Sequence, residues 1–250
     1  VLVAVLGPLV APHSLSQPIG IPASGPSSSA PLGTDTLGRD VLSRVLDGGL
    51  PVLWTSLACV LGMYLIGGLI GLFAGLSDSL LDPILMRSID VLIVFPPLVL
   101  VLVLIAGAGS GTWVIILGVV LVLSPGVARI VRAATLEVAT KGYIEAAIAR
   151  GERTTQIMFR EVCPNIMPVV VADAGVRFLG AIFLIASLDF LGVGAQPPAA
   201  NWGLMIAENR EILSLNVWGV VAPALLLSIL TVAVNLLGNA YTQSRSGRAG

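Results

Sequence analysis

Long apolar runs separated by short polar stretches dominate the chain, and the length of the runs is the first guide to its fold. A helix that crosses a bilayer needs about 20 apolar residues, because the hydrocarbon core is roughly 30 Å thick. Five runs meet or nearly meet that length: 52–76, 84–109, 112–129, 166–190 and 217–241. A shorter apolar stretch, residues 1–10, opens without a methionine and reads as the tail of a further span whose beginning is missing. In lipid every backbone N–H and C=O needs an internal partner, so the runs are predicted as helices. The expectation is an all-α membrane protein of six transmembrane helices, the first truncated, in one domain over residues 1–250.

Details within the runs sharpen this picture. Gly67, Gly71 and Gly75 recur every four residues, which places them on one helix face and predicts close packing against a neighbour. Pro96, Pro97 and Pro125 are expected to kink or break the spans that hold them. Composition agrees: 56% of residues are hydrophobic and 11% charged, with a mean hydropathy of +0.99. A soluble domain carries about a quarter charged residues, so that class is excluded. The net charge of −1 carries no basic excess for nucleic acid. Cys59 lies in an apolar run and Cys163 in a charged loop, so no disulfide is expected. With His13 as the single histidine, no metal-ligand spacing exists either.

Lysine and arginine mark the cytoplasmic side of a membrane protein. Arg87, Arg129, Arg132, Lys141, Arg150, Arg153, Arg160, Arg245 and Arg248 fall on one face. Arg39, Arg44 and Arg210 fall on the other, and Arg177 lies within a span. The first face is predicted to be cytoplasmic, with both termini inside. Residues 12–51 and 191–216 then become extracytoplasmic segments, the second holding a turn-forming stretch with Trp202 as an interfacial aromatic.

Residues 130–165 form a cytoplasmic loop too long for a simple connector. Ile144 to Arg150 has good helix formers, with Glu145 placed to favour the positive end of the helix dipole. Ala146 and Ala147 leave a shallow surface that another protein could approach. Gly151 permits a turn, Thr154 to Val162 reads as a second short helix, and Pro164 is suited to open the next span. Two helices lying across the membrane face are expected. On these residues alone, a docking surface for a partner and a structural amphipathic helix stand level.

The stretch 143–165, YIEAAIARGERTTQIMFREVCPN, resembles the EAA loop of permeases in binding-protein-dependent ABC importers. That pattern is Glu-Ala-Ala, three residues, Gly, nine residues, then Ile-x-Leu-Pro. Glu145, Ala146, Ala147, Gly151 and Pro164 match it, while Glu161 and Cys163 depart from it. Residues 31–49 (PLGTDTLGRDVLSRVLDGG), 85–97, 190–198, Asn201-Trp202-Gly203 and 235–238 are similar to C-type permeases of dipeptide, oligopeptide and nickel importers. The resemblance implies a type I ABC importer permease fold in a prokaryotic plasma membrane. It implies a homologous second permease, one or two ABC ATPase subunits, and an extracytoplasmic substrate-binding protein as partners. No cofactor is implied for this chain, since ATP and Mg²⁺ serve the ATPase. Tyr143, Glu145, Ala146, Ala147, Arg150, Gly151 and Pro164 are the implied ATPase-coupling residues. Short peptides are the implied cargo, with nickel chelates or haem as alternatives within the family.

Ionisable residues inside spans are costly and mark functional hypotheses. Arg87 and Asp90 are expected to pair on one helix face. Asp173 and Arg177, four residues apart, share a face of the fifth span, where either a neutralised structural pair or a translocation path is consistent with them. Asp189, near the end of that span, either lines a substrate mouth or reaches interfacial water. An intramembrane enzyme lacks its Ser–His, metal or two-helix aspartyl chemistry. The sole lysine, Lys141, is not part of a P-loop, so the chain is not expected to hydrolyse ATP. An ion-coupled carrier is the rival that composition alone leaves open, although a carrier has no need of an EAA-type loop.

Overall fold

A computed structural model describes residues 1–77 and 80–246; Arg248 of the basic tail lies outside them. The chain opens with α1 (Leu2–Val10), then an irregular segment held by isolated bridges between Pro18 and Arg39 and between Thr34 and Asp40. Asp40 caps α2 (Val41–Asp47) by accepting from the Ser43 amide at 3.1 Å, the role for which a short acceptor side chain is favoured. α3 (Gly49–Met63) passes through a π-helical turn (Tyr64–Gly68) into α4 (Leu69–Leu76). Next come α5 (Leu81–Val94), α6 (Pro97–Ala108) and α7 (Thr112–Ala139). The loop contains α8 (Gly142–Ala149) and α9 (Thr154–Ile157); a second π-helical turn (Met158–Val162) leads into α10 (Cys163–Phe190). α11 (Trp202–Asn209) and α12 (Trp218–Ser246) complete the fold.

Among the described residues, four helical segments are long and apolar enough to cross a membrane: Val41–Leu76, Thr112–Ala139, Thr154–Phe190 and Trp218–Gly238. A fifth is formed if Asp82–Val94 and Pro97–Ala108 count as one span, although they meet at 89°. The predicted kink at Pro96 is therefore a complete break, with Phe95 and Pro96 both extended (ψ 138° and 125°). Proline removes an amide and disfavours helix at the residue before it. At Pro125, by contrast, α7 continues without interruption. Residues 1–10 supply only the nine-residue α1, about 14 Å of helix, so the expected count of six spans is not reached among the described residues.

The core is organised around α7, the most buried span, with 61% of its most apolar stretch inside against 11% for α12. The predicted glycine face packs here. A Cβ added at Gly67 would lie 2.3 Å from the Ser124 carbonyl oxygen, and one at Gly71 would lie 2.6 Å from that of Ala128. One at Gly75 would lie 2.7 Å from Thr135 Cβ. No side chain fits in those gaps, so α3–α4 and α7 meet backbone to backbone. Large apolar side chains such as Leu61, Val103, Leu117, Phe183 and Leu236 point outward, as a lipid-facing surface requires.

Candidate functional site

The loop differs from expectation in one respect. α9 does not lie as a separate helix across the membrane face; it runs through the π turn into α10 as one continuous helix of 37 residues, Thr154–Phe190. Pro164 sits exposed in the first turn of α10, as expected, although that turn continues the helix arriving from α9. Only α8 stands apart. Ile144 and Ala147 are buried (1% and 0% exposed) and belong to the same apolar cluster as Ile157, Met158 and Val162. Tyr143, Glu145, Ala146, Ile148 and Arg150 are exposed.

The end of α8 is closed by a Schellman motif. The Gly151 amide donates to the Ile148 carbonyl at 2.9 Å and the Glu152 amide to that of Ala147 at 3.2 Å. Gly151 has φ +78°, the left-handed region that costs other residues about 1–2 kcal/mol. A Cβ there would meet nothing within 4 Å, so the demand for glycine comes from backbone angle and not from space. Arg150 donates to Glu152 Oε1 at 2.6 and 3.0 Å from its two nitrogens.

A second group lies midway along α10. Asp173 Oδ2 accepts from Arg177 Nε at 3.0 Å and from the Tyr64 hydroxyl at 2.7 Å. Tyr64 comes from the π turn after α3, so three charged or polar side chains converge from two helices. Arg177 stands 14 residues from the start of α10 and 13 from its end, roughly 20 Å from each. Its guanidinium lies over α7, where a Cβ at Gly126 would come within 2.5 Å of Nη1. Arg177 and Arg129 share the wall of a cavity of about 260 Å³, bounded by Leu92, Phe95 and Pro97 at the broken elbow between α5 and α6.

Arg129 explains the fate of the predicted Arg87–Asp90 pair: Asp90 binds Arg129 Nη2 at 2.5 Å, reaching across to α7 and not along its own helix. One turn on, Arg132 forks both nitrogens onto Asp82 at 2.6 and 2.5 Å. α7 was expected to leave the membrane at Arg129, yet it continues ten residues beyond it. Tyr64 and Arg129 join these charged groups without having been singled out by the sequence; the one signal for Tyr64 is a lone hydroxyl in a glycine-rich apolar run.

The third group is at the opposite end from the loop, where residues 12–40 and 191–217 form a cap. Asp189 is 2% exposed, with Oδ1 accepting from the Ala195 amide at 2.6 Å. It is among the residues lining a cavity of about 690 Å³. Trp202, expected at the interface, is buried and donates its indole N–H to the Val45 carbonyl at 2.7 Å. Beside it, four charges interlock. Arg39 reaches Asp35 at 2.6 Å and Glu208 at 3.1 Å, and Arg44 reaches the same acids at 3.6 and 2.7 Å. Nothing local in the sequence pointed to this network.

The family profile described as binding-protein-dependent transport system inner membrane component matches residues 67–246. The chain belongs to this family. Among its relatives is the di/tripeptide transport system permease protein DppC of Pseudomonas aeruginosa (strain UCBPP-PA14), 34% identical over 96% of this chain and 81% of the relative. The glutathione transport system permease protein GsiD of Pectobacterium atrosepticum is 38% identical over 86% of this chain and 71% of its own length. An inward-facing structure of the MetNI methionine ABC transporter superposes with a TM-score of 0.68 at 20% identity, covering 82% of this chain and 95% of that one. The all-α membrane fold of an ABC importer permease is thus established, and the chain is a multi-pass inner membrane transport component.

Proposed function

We propose that this permease pairs with a homologous second permease to form the path of an ATP-driven importer of short peptides. In this reading α8 is the coupling helix, seated on an ABC ATPase subunit, and an extracytoplasmic binding protein delivers substrate to the cap. The observation that carries the assignment is the two-sidedness of α8: Ile144 and Ala147 root it in the bundle while Tyr143, Glu145, Ala146 and Arg150 remain exposed. ATP and Mg²⁺ belong to the partner ATPase, whose closure moves the docked helix and with it the spans. A motor shifts such an equilibrium only through contacts that differ between the two states, and α8 is where those contacts lie. Both termini and the loop then face the cytoplasm, in keeping with the concentration of Lys and Arg there.

The peptide assignment draws on the names of the relatives and on the lining. Asp173, Arg177 and Asp189 offer both signs of charge along the path, suited to a substrate with an ammonium and a carboxylate. Glu145→Lys reverses the charge on the exposed face of α8, and Gly151→Pro cannot adopt φ +78°. Both variants are expected to insert into the membrane at normal levels and to lose peptide uptake together with ATPase co-purification. Normal uptake in either would overturn the coupling assignment.

A further inference from the structure

The side chains of Arg129 and Arg177 meet at one cavity. Both line the 260 Å³ at the α5–α6 elbow, and no acidic side chain lines it with them. Each guanidinium has a carboxylate partner that engages a single nitrogen: Asp173 takes Nε of Arg177, and Asp90 takes Nη2 of Arg129. An arginine carries five N–H donors in a planar fork. Both amino nitrogens of Arg177, and Nε and Nη1 of Arg129, are thus without an acceptor among the described residues. The carboxylates also hold the forks in place, Asp173 being itself bound by the Tyr64 hydroxyl. Glycine at 126 makes the room for Arg177 against α7, since a Cβ there would come within 3.2 Å of both amino nitrogens. The spare donors are within reach of a ligand, with side chains 21% exposed for Arg177 and 51% for Arg129.

Depth in the membrane says what this face borders. Arg129 lies ten residues before the end of α7, about 15 Å along the helix, and Arg177 is deeper still. Charged groups at such depth are too costly to expose to lipid tails and instead face a bundle interior or a water-filled cavity. The exposed Arg129, Asp90 and Arg177 therefore mark this side as the wall of an aqueous path. Leu92 and Phe95 give the same cavity an apolar side. Its volume is below the roughly 300–1,000 Å³ of sites that enclose a whole small molecule, so it suits one end of a longer substrate. Guanidinium forks with donors to spare match the planar geometry of a carboxylate. We infer that this cavity is a carboxylate subsite, in which Arg177 and Arg129 donate hydrogen bonds to the free C-terminal carboxylate of a peptide passing along the path. The inference rests on the peptide-importer reading and extends it. It places a contact that selects for a free C-terminus inside the permease, beyond the point where the substrate leaves its binding protein.

The test is binding of dialanine to the complete transporter, purified in detergent without its binding protein so that recognition by that protein contributes nothing, and read by saturation-transfer NMR titration. The wild type is expected to bind dialanine about tenfold or more tighter than alanyl-alaninamide, which lacks the carboxylate, a difference of the size that charge-assisted hydrogen bonds make. Arg177→Gln should weaken dialanine about tenfold and leave the amide within twofold of wild type. A purely structural role would weaken both alike, and that result would overturn the subsite. Arg129→Gln, at the more exposed group, should weaken dialanine about threefold. Acid and amide binding within twofold of each other in the wild type, or no binding of dialanine, would also overturn it. So would an anionic lipid headgroup as the occupant, seen as phosphatidylglycerol that co-purifies with the wild type and is lost from Arg177→Gln. Uptake of radiolabelled dialanine in proteoliposomes keeps the two readings apart. Wild-type uptake without an acid–amide difference in binding overturns the subsite alone, whereas absence of uptake sinks the peptide reading and the subsite with it.

Discussion

The two ends of this permease handle charge in opposite ways. In the cap, Asp35, Arg39, Arg44 and Glu208 have side chains between 0% and 13% exposed and pair with one another across up to 169 residues of sequence. At the loop end, Glu145 and Arg150 stand in solvent on a helix rooted by two apolar residues. A buried charge is tolerable only when its partners are held rigidly, so the cap is a fixed platform that clamps residues 12–51 onto α11. An exposed charge contributes little to its own fold and is left free to meet something else. The same residue types therefore serve architecture at one end and, on the proposed reading, communication at the other.

Mutations should separate the two ends by stability against transport. Glu208→Ala leaves two guanidinium groups that are 0% and 3% exposed with Asp35 alone as counter-charge, and is expected to cost about 3–5 kcal/mol, since one buried positive charge is then uncompensated. Denaturant unfolding of the purified protein in detergent, followed by circular dichroism, measures it; a loss below 1 kcal/mol would erase the contrast. Tyr64→Phe removes one of two donors to Asp173 in the middle of the bundle, and should cost about 1.5–3 kcal/mol, the range for a hydrogen bond to a charged group. This intermediate value would show that the midsection, although polar, is braced more like the cap than like the loop. Arg150→Ala breaks only the exposed contact to Glu152 and should change stability by less than about 1 kcal/mol, while uptake falls several-fold. Unchanged uptake with a large loss of stability would turn α8 into another piece of architecture.

How much of this could be read from residues alone follows from the range of the interactions involved. The apolar runs, the glycine face at Gly67, Gly71 and Gly75, the break at Pro96 and the turn at Gly151 all depend on a residue and its near neighbours along the chain, so pattern and spacing reveal them. The buried root of α8 is legible in part: Ile144 and Ala147 sit three apart, on one helical face, although which face turns inward is not. The EAA-like spacing located the loop, but not that α9 flows through a π turn into α10, because apolar cover from α7 and α8 outweighs the local signal of Pro164 for a fresh start.

What only the packed chain decided is the pairing of charges. Arg87 was the near partner for Asp90 by helical spacing, yet the crossing of α5 over α7 brings Arg129 within 2.5 Å. Arg44 and Glu208 give no local sign of each other, and Trp202 looks interfacial until residues 41–49 close over it. Asp189 is the clearest case: one acid at the end of an apolar run becomes the sealed floor of a cavity only when Gly194, Gly203 and α2 are folded around it. Hydrophobic length and backbone chemistry are properties of a segment, so the chain alone marked the apolar runs and the breaks between them, though not how far each helix extends. The electrostatic partner of a buried group is a property of the space between segments, and tertiary structure alone assigns it.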